Sequence, residues 1–369
     1  MMTGLLSRLK SGRAPRRALF FLLLLLLTGL MACGQDSPTP ESSLTQPPTS
    51  SSPVTSRPST SETRTTESLP PPPPQTHYLF SDRYPIAFMI NNTAAARPQS
   101  GLSKAKLIYQ MLTEGRTTRL LLITDEPEGV IGPVRSARPA FLDLVAQERA
   151  FYAYAGNYRV IEPSPVVKDI RILDALKGDY DIYYRTSHRV APHNLYSSLE
   201  KAYKRAERRY ESILREEPTQ GLQAYQDFLL PPGGQANLTV SYRYSSLQES
   251  FIYQADVQAY TKTNDSQVLV DEATGEQLEV ANILIIHRPH SLMPNGVHNK
   301  INWVDQGQAV YLTGGRRYDV SWEKTSHTSP IQYFLEEETL ILNPGLTWIL
   351  VLDDQALKTL EYEPTPGEN

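Results

Sequence analysis

The sequence predicts an α+β protein, with an N-terminal mixed α/β domain followed by a mostly antiparallel β C-terminal domain. In the first half, the apolar runs 86–90 and 120–123 suit buried strands, and an amphipathic helix follows them. After the turn Pro231-Pro232-Gly233-Gly234, short apolar runs alternate with turn signals, as antiparallel strands do. The change of pattern near residue 231 therefore separates two folded regions.

Residues 1–32 have the composition of a lipoprotein signal peptide. Five bases and no acids precede a wholly apolar run from Ala18 to Leu27. This run is too short for a membrane-spanning helix, which needs about 20 apolar residues. The run leads to Leu30-Met31-Ala32-Cys33, which resembles the lipobox cut by lipoprotein signal peptidase. We expect cleavage before Cys33, the only cysteine, and acylation of its thiol by chains such as palmitate. The protein is then anchored in the cell membrane on its extracytoplasmic face.

The remaining chain divides into five segments. Residues 33–77 are expected to be the lipidated cysteine and a disordered tether, because a Ser/Thr/Pro-rich stretch buries too little apolar area to offset its ordering entropy. The N-terminal domain is expected over 78–218, a linker over 219–236, the β-rich domain over 237–360 and a tail over 361–369.

The individual elements follow from hydrophobic spacing. Residues 105–112 are ambiguous between strand and helix, whereas a spacing of three to four predicts a helix whose apolar face is Leu199, Ala202, Tyr203, Ala206, Tyr210, Ile213 and Leu214. In the second half, strands are predicted over 238–244, 251–260, 280–286, 309–312 and 348–352.

Charge narrows the classes of partner. The 36 bases of the chain include the five in residues 1–32, so the mature protein has 31 bases against 40 acids, a formal net charge of −9. An acidic protein repels nucleic acid at long range, and nucleic acid is therefore not an expected partner.

Several motifs in order carry a family resemblance. They are Asn91, 96–102 (ARPQSGL), 113–115 (TEG) with Thr118-Arg119, 132–138 (GPVRSAR), 191–196 (APHNLY), 322–324 (WEK) and 342–349 (LNPGLTWI). Together they resemble the N- and C-terminal domains of the YerB-like lipoproteins. The resemblance implies an envelope lipoprotein of two domains and no established biochemical activity.

Arginines in the first domain point to an anion site. Pro133 is expected to begin a helix on which Arg135 and Arg138 share one face, near unpaired backbone N–H groups. Further bases of this domain are Arg97, Arg116, Arg119, Arg159, Arg185 and Arg189. The alternative is that these arginines form structural ion pairs with Glu114, Asp125 and Asp143.

Glu114 is the candidate for acid–base chemistry. A glycine neighbour allows close approach, and a partly buried glutamate can have a raised pKa. Glycoside cleavage needs a second carboxylate, for which Asp125 or Asp143 is the candidate. The alternative is a buried glutamate paired with Arg119 or Arg135.

His193 and Asn194 are candidates for hydrogen bonding to a carbohydrate or carboxylate. The favoured alternative is a turn before a helix, with Asn194 as the N-cap. His287, His290 and His298 have no Cys, Asp or Glu at ligand spacing, so no metal site is expected, and no cofactor is expected either.

The functional interpretation rests on this site and on the absence of motifs for serine acyl transfer, zinc proteolysis or nucleotide hydrolysis. The leading hypothesis is a non-enzymatic binding or scaffolding module for cell-wall fragments or an envelope protein. Its site is expected to comprise Asn91, Arg97, Glu114, Arg119, Arg135, Arg138, His193 and Asn194. The alternatives are a glycan-cleaving enzyme with Glu114 as general acid, and a substrate-binding lipoprotein that serves a transporter.

Overall fold

The computed structural model of the protein describes residues 72–80, 82–216 and 221–364, and all of them belong to one compact unit. Cys33, the predicted signal peptide and residues 33–71 of the predicted tether lie outside the described residues. None of the helices within the described ranges is long and apolar enough to cross a membrane.

The described part of the chain is strand-rich, with few helices. The first strands are β1 (Thr76–Tyr78), β2 (Ile86–Asn91), β3 (Leu107–Leu112), β4 (Thr118–Thr124), β5 (Val130–Ile131), β6 (Phe151–Tyr154), β7 (Arg171–Asp174), β8 (Tyr183–Arg185) and β9 (Leu195–Ser198). The later strands are β10 (Gln223–Tyr225), β11 (Gln235–Ala236), β12 (Thr239–Tyr242), β13 (Glu249–Gln254), β14 (Ala259–Asn264), β15 (Gln267–Val268), β16 (Glu279–Val280), β17 (Asn282–His287), β18 (Ser291–Leu292), β19 (Asn299–Lys300), β20 (Asp305–Thr313), β21 (Arg316–Lys324), β22 (Gln332–Leu335), β23 (Glu338–Thr339), β24 (Ile341–Leu342), β25 (Thr347–Leu352) and β26 (Glu361–Glu363).

The α-helices of the described residues are α1 (Leu142–Gln147), α2 (Leu199–Arg209) and α3 (Asp354–Leu357). Short 3-10 turns complete the helical content. They are Ala94–Ala96, Leu102–Lys104, Glu114–Arg116, Pro139–Phe141, Tyr158–Val160, Val167–Asp169 and Tyr180–Ile182.

One large mixed sheet forms the centre of the unit. Its strand order is β23-β22-β21-β20-β17-β25-β3-β4-β2-β6-β7, and β11 pairs with β21. Strand β25 lies parallel to β3, with Thr347 opposite Leu107. This pairing joins strands from both predicted domains in a single sheet.

Both faces of the central strands are buried, which explains their continuous apolar runs. In β4, Leu121 and Ile123 face one hydrophobic core, whereas Leu120 and Leu122 face the other. The strands predicted at 86–90, 120–123, 309–312 and 348–352 are confirmed. The strand predicted at 280–286 is confirmed over 282–286, which lie in β17, whereas Val280 belongs to β16 and pairs with β14 in another sheet. The ambiguous stretch 105–112 contains β3, whose six residues are all buried.

Two predicted elements differ from the structure. Residues 251–260 were expected to form one strand but are the hairpin β13–β14, because the chain turns at 255–258 and Gln258 adopts a left-handed backbone with φ 54°. The predicted helix over 199–214 ends at Arg209. The chain beyond it extends beside Tyr84, whose N–H donates to the Ile213 carbonyl at 2.9 Å.

Smaller sheets hold the ends of the predicted segments. Strand β1 lies at the end of the expected tether and pairs with β10, which lies in the expected linker. Strand β10 in turn pairs with β24. Strand β26, at the start of the expected tail, pairs with β12. Backbone hydrogen bonds therefore hold described residues of the expected tether, linker and tail to the folded unit.

Candidate functional site

The site lies where the parallel strands β2 and β6 end and where β4 begins. An extended segment, residues 133–138, runs along these strand ends. Asn91 N–H donates to the Pro133 carbonyl at 2.9 Å, Arg135 N–H to Met89 at 2.7 Å and Ala155 N–H to Arg135 at 3.0 Å. The predicted helix after Pro133 is therefore wrong, because the sheet takes up the backbone groups that a helix would need. Pro139 begins the helical turn instead.

Gly132 permits this path. A Cβ atom at Gly132 would lie 2.6 Å from the ring of Tyr196, and no real Cβ contact is that short. Strand β9, which carries Tyr196, also holds the segment because Val134 N–H donates to the Leu195 carbonyl at 2.6 Å. The glycine therefore allows the segment to lie flat against β9.

Glu114 joins two arginines. Its carboxylate accepts a bidentate pair of bonds from Arg138, one of them from Nε at 2.7 Å, and a bond from Arg119 at 3.2 Å. Arg119 also donates to the carbonyl oxygen of Ser136. The turn that carries Glu114 and the extended segment are thus tied together through guanidinium groups.

The cluster has more positive than negative charge. Arg119 is only 5% exposed, and burial, followed by the nearby charge of Arg138, lowers its pKa to about 9. Burial and the charge of Arg138 also lower the pKa of Arg135. We call Glu114, Arg119, Arg135 and Arg138 the arginine cluster. Three guanidinium groups face one carboxylate there.

The pKa of Glu114 bears on the acid–base hypothesis. Burial acts to raise this pKa, but the hydrogen bond from Arg138 and the charges of both arginines lower it to about 2. Glu114 is therefore ionised at neutral pH, whereas a general acid must carry a proton. Of the two candidates for the second carboxylate, Asp125 pairs with Lys106 beyond the far end of β4, and Asp143 pairs with His327 at 2.7 Å.

Asn91 and His193 form a second polar group next to the cluster. Asn91 is the cross-strand partner of Arg119, so both side chains leave the same face of the sheet. Asn91 Nδ2 lies 2.9 Å from His193 Nδ1, and Asn91 Oδ1 accepts from the Thr93 N–H at 3.1 Å. These bonds fix the amide so that Nδ2 donates to the imidazole.

Asn194 has a different role from the predicted helix cap. It accepts from Arg185 at 2.6 Å and donates to the carbonyls of Thr186 and Arg189, which closes the loop before β9. The cap of α2 is Ser198, whose hydroxyl accepts from the Lys201 N–H. The N-cap prediction for Asn194 is wrong because a strand, not a helix, follows it.

Arg97 is directed away from the arginine cluster. It donates twice to the Asn92 carbonyl, at 3.1 and 3.2 Å, and burial lowers its pKa while Glu249 and Asp265 act in the opposite direction. With Pro98 and the 264–270 stretch it lines a cavity of about 360 Å³. The structure therefore separates Arg97 from the other candidate residues.

Other arginines of this region form structural pairs. Arg116 pairs with Asp353 at 2.8 Å, and Arg189 pairs with Glu272 at 2.9 Å. Glu272 also accepts from Ser100 and Tyr196 at 2.7 Å each. Both arginines are thus in ion pairs that link the two halves of the chain, but their partners are not the expected Glu114, Asp125 or Asp143.

The hairpin β18–β19 brings further residues to the arginine cluster. Asn299 Nδ2 donates to the carbonyls of Leu112 at 3.3 Å and Thr113 at 3.0 Å, immediately before Glu114. Burial, and then the charge of Arg138, lowers the pKa of His298. The sequence drew attention to His298 only as a metal ligand. The Asn295-Gly296 turn was the available signal for a hairpin, but no local pattern indicates where that hairpin packs.

The three histidines of the possible metal group have separate partners. His287 lies 2.7 Å from Asp354, His290 lies 2.8 Å from the Arg288 carbonyl, and His298 lies 2.8 Å from Asn295. Among the described residues, no group of three or more His, Cys, Asp or Glu side chains is placed to hold a metal ion.

A cavity of about 720 Å³ lies elsewhere in the fold. Residues of β1, the stretch 276–279 and the stretch 344–346 line it, together with Lys106. None of the predicted site residues is among its lining residues. Its walls are therefore distinct from the arginine cluster.

Comparison with known proteins identifies the family. Residues 74–212 match the N-terminal domain, and residues 238–349 the C-terminal domain, of "Protein of unknown function (DUF3048)". The Bacillus subtilis (strain 168) protein named "Putative lipoprotein YerB" is 27% identical over 285 residues, which cover 76% of this chain and 84% of that protein. The crystal structure of YerB from Bacillus subtilis matches with a TM-score of 0.66 at 25% identity, over 76% of this chain and 94% of that chain.

The two family matches together span more than half of the chain, and the stretch between them, residues 213–237, contains the point near residue 231 where the sequence pattern changes. The motifs at 96–102, 113–119, 132–138 and 191–196 lie in the first match, and most of the strands after residue 238 lie in the second. The chain therefore belongs to the DUF3048 family, the YerB-like lipoproteins that its motifs resemble.

Proposed function

We propose that this protein is a lipid-anchored module on the extracytoplasmic face of the cell membrane, and that it binds an anionic ligand at the arginine cluster. The observation that carries the proposal is the charge imbalance, three guanidinium groups around the single carboxylate of Glu114. A bound anion supplies the negative charge that the cluster lacks.

The burial of Arg119 makes this imbalance costly in the unbound protein. A buried charge needs hydrogen-bond partners and a neighbouring charge of opposite sign. The positive charges of Arg138 and Arg135 instead disfavour the charged form of Arg119. Structural stability alone does not favour three like charges close to one another. Guanidinium groups match the oxygens of carboxylates and phosphates, which supports an oxyanion as the ligand.

The anchor and the compartment rest on the sequence and on the relative. Cys33 follows a lipobox-like stretch, and the similar protein from Bacillus subtilis is named as a lipoprotein. Carboxylates and phosphates of cell-wall fragments are accessible to a protein in this location. We therefore infer a wall-derived anion or an acidic segment of an envelope protein as the natural ligand.

The two other functions considered have less support. An ionised Glu114 lacks the proton that a general acid must supply, and both candidate second carboxylates pair with other side chains. A transporter-associated binding protein needs two lobes that close on a ligand, whereas β25 and β3 join both halves of this chain in one sheet.

The proposal is tested by calorimetric titration of the purified protein with inorganic phosphate and with purified anionic wall fragments. The Arg138→Gln variant is expected to bind about 10- to 100-fold more weakly, because a charged hydrogen-bond partner of the ligand is lost. Arg159→Gln is the matched control, since Arg159 is exposed and outside the cluster. No binding by the wild type, or equal binding by Arg138→Gln, would contradict the proposal.

A further inference from the structure

Hydrogen bonds hold the hairpin β18–β19 to two stretches of the chain, one just before Glu114 and one just after Arg138. Asn299 donates to the carbonyls of Leu112 and Thr113, which precede Glu114. Trp303, just after the hairpin, donates its indole N–H to the Ala140 carbonyl at 2.8 Å, two residues after Arg138. The hairpin thus belongs to the second family segment but is held by the two stretches that carry the cluster.

Within the hairpin, hydrogen bonds determine the orientation of the Asn295 amide. Its Oδ1 accepts from the backbone N–H groups of Val297 at 3.0 Å and His298 at 3.1 Å. The atom that faces the imidazole is consequently Nδ2, at 2.8 Å from His298 Nδ1. An amide Nδ2 can only donate, so His298 Nδ1 must accept.

This acceptor role fixes the tautomer of His298. A neutral imidazole carries one proton, and when Nδ1 accepts a hydrogen bond that proton is on Nε2. The charged groups that face the ring are Arg138 and Arg119, which are positive, and Glu114, which is negative. The nearby arginines and burial favour the neutral form, so His298 presents a neutral Nε2–H donor beside the cluster.

We propose that His298 is a ligand-contacting residue of the arginine cluster and donates its Nε2–H to an oxygen of the bound oxyanion, with Asn295 as its positioning residue. The inference rests on the proposed function and deepens it. The site then combines guanidinium groups from the first family segment with an imidazole from the second. A neutral donor binds an oxyanion without adding a fourth positive charge to the three arginines.

The same arrangement recurs at His193. There Asn91 Oδ1 accepts from the Thr93 N–H, and Asn91 Nδ2 faces His193 Nδ1 at 2.9 Å. An asparagine whose orientation is fixed by a following backbone N–H thus selects the Nε2–H form of two histidines. The asparagine–histidine arrangement thus occurs twice near the cluster, at Asn295–His298 and at Asn91–His193.

The test uses the full-length protein and inorganic phosphate as the probe. In His298→Gln the side-chain amide reproduces the Nε2–H donor, and phosphate affinity is expected to stay within about threefold of wild type. In His298→Asn the amide stands at the Nδ1 position, and affinity is expected to fall about tenfold. Thermal unfolding of both variants shows whether the fold is unchanged. A second readout in the ligand-free protein is the ¹⁵N spectrum of His298, which is expected to show the Nε2–H tautomer.

The outcomes separate this inference from the proposed function. If His298→Asn binds phosphate as tightly as wild type while Arg138→Gln does not, the inference is wrong and the proposed function stands. An Nδ1–H tautomer for His298 overturns the inference without reference to any ligand. If the wild-type protein binds no phosphate, both proposals fall together.

Discussion

At the residue scale, Glu114 shows how neighbours decide the role of a carboxylate. From the sequence, a glutamate beside a glycine had two interpretations, a proton donor or a member of an ion pair. The structure brings Arg119 and Arg138 onto it, and its pKa is lowered to about 2. The sequence pointed to the pairing with Arg119, but it gave no means of choosing Arg138 over Arg135, because that choice depends on the extended path of residues 133–138.

The lowered pKa of Glu114 predicts a pH-dependent contribution to stability. The folded pKa of about 2 is below the reference value of 4.5, so the contribution is present above about pH 4.5 and is lost as the pH falls towards 2. Because the side chain is one-third exposed, solvent screening reduces the contribution, and we expect Glu114→Gln to lower the free energy of unfolding by about 1–2 kcal/mol at pH 7.

Urea unfolding at pH 7 and at pH 3 measures this contribution. The difference between wild type and Glu114→Gln is expected to shrink at pH 3, where wild-type Glu114 is in part protonated. The exposed Glu128 provides the control variant Glu128→Gln, which is expected to match wild type at both pH values. An equal difference between wild type and Glu114→Gln at the two pH values would show that the charge of Glu114 is not what stabilises the fold.

At the scale of elements, the sequence predicted what local patterns encode. Strands β2, β4 and β25 were predictable because both of their faces are buried and their apolar runs are unbroken. The turn at 255–258 was missed because it contains neither glycine nor proline. The extended stretch 133–138 was missed because its hydrogen-bond partners are distant in the sequence. Met89 lies in β2, and Ala155 follows β6.

Strand β1 marks where the folded unit begins. It pairs with β10, and Gln226 N–H donates to the Gln75 carbonyl at 2.9 Å. A chain beginning at Pro72 is expected to remain folded and to leave the membrane fraction, since it lacks Cys33. A chain beginning at Leu79 lacks β1 and is expected to be less stable by about 1–3 kcal/mol, because several backbone hydrogen bonds are lost.

Membrane fractionation and urea unfolding of both truncated chains measure these effects, with the full-length protein as the reference. Equal stability of the two truncated chains would mean that β1 contributes nothing to the fold. Recovery of the Pro72 chain in the membrane fraction would argue against Cys33 as the anchor.

At the scale of the whole molecule, the two family segments depend on each other. The sequence placed a boundary near residue 231, but no local signal indicates that β25 pairs with β3 more than 200 residues earlier in the chain. Without β25, strand β3 would expose an unpaired edge in the middle of a buried sheet. The hairpin β18–β19 adds a further link, because Asn299 donates to the carbonyls of Leu112 and Thr113, immediately before Glu114. Binding at the cluster is therefore expected to stabilise the molecule as one unit.

Phosphate-linked unfolding tests the central claim, that the arginine cluster is an anion site, most directly. A ligand that binds only the folded state raises the free energy of unfolding, by about 2.7 kcal/mol at 100 times its dissociation constant. Wild type and Arg159→Gln are expected to unfold in one transition that moves to higher temperature as phosphate is added at constant ionic strength. At the same phosphate concentrations, Arg138→Gln is expected to show a much smaller shift, because its affinity is reduced. An equal shift in all three proteins, or no shift in wild type, would contradict the claim.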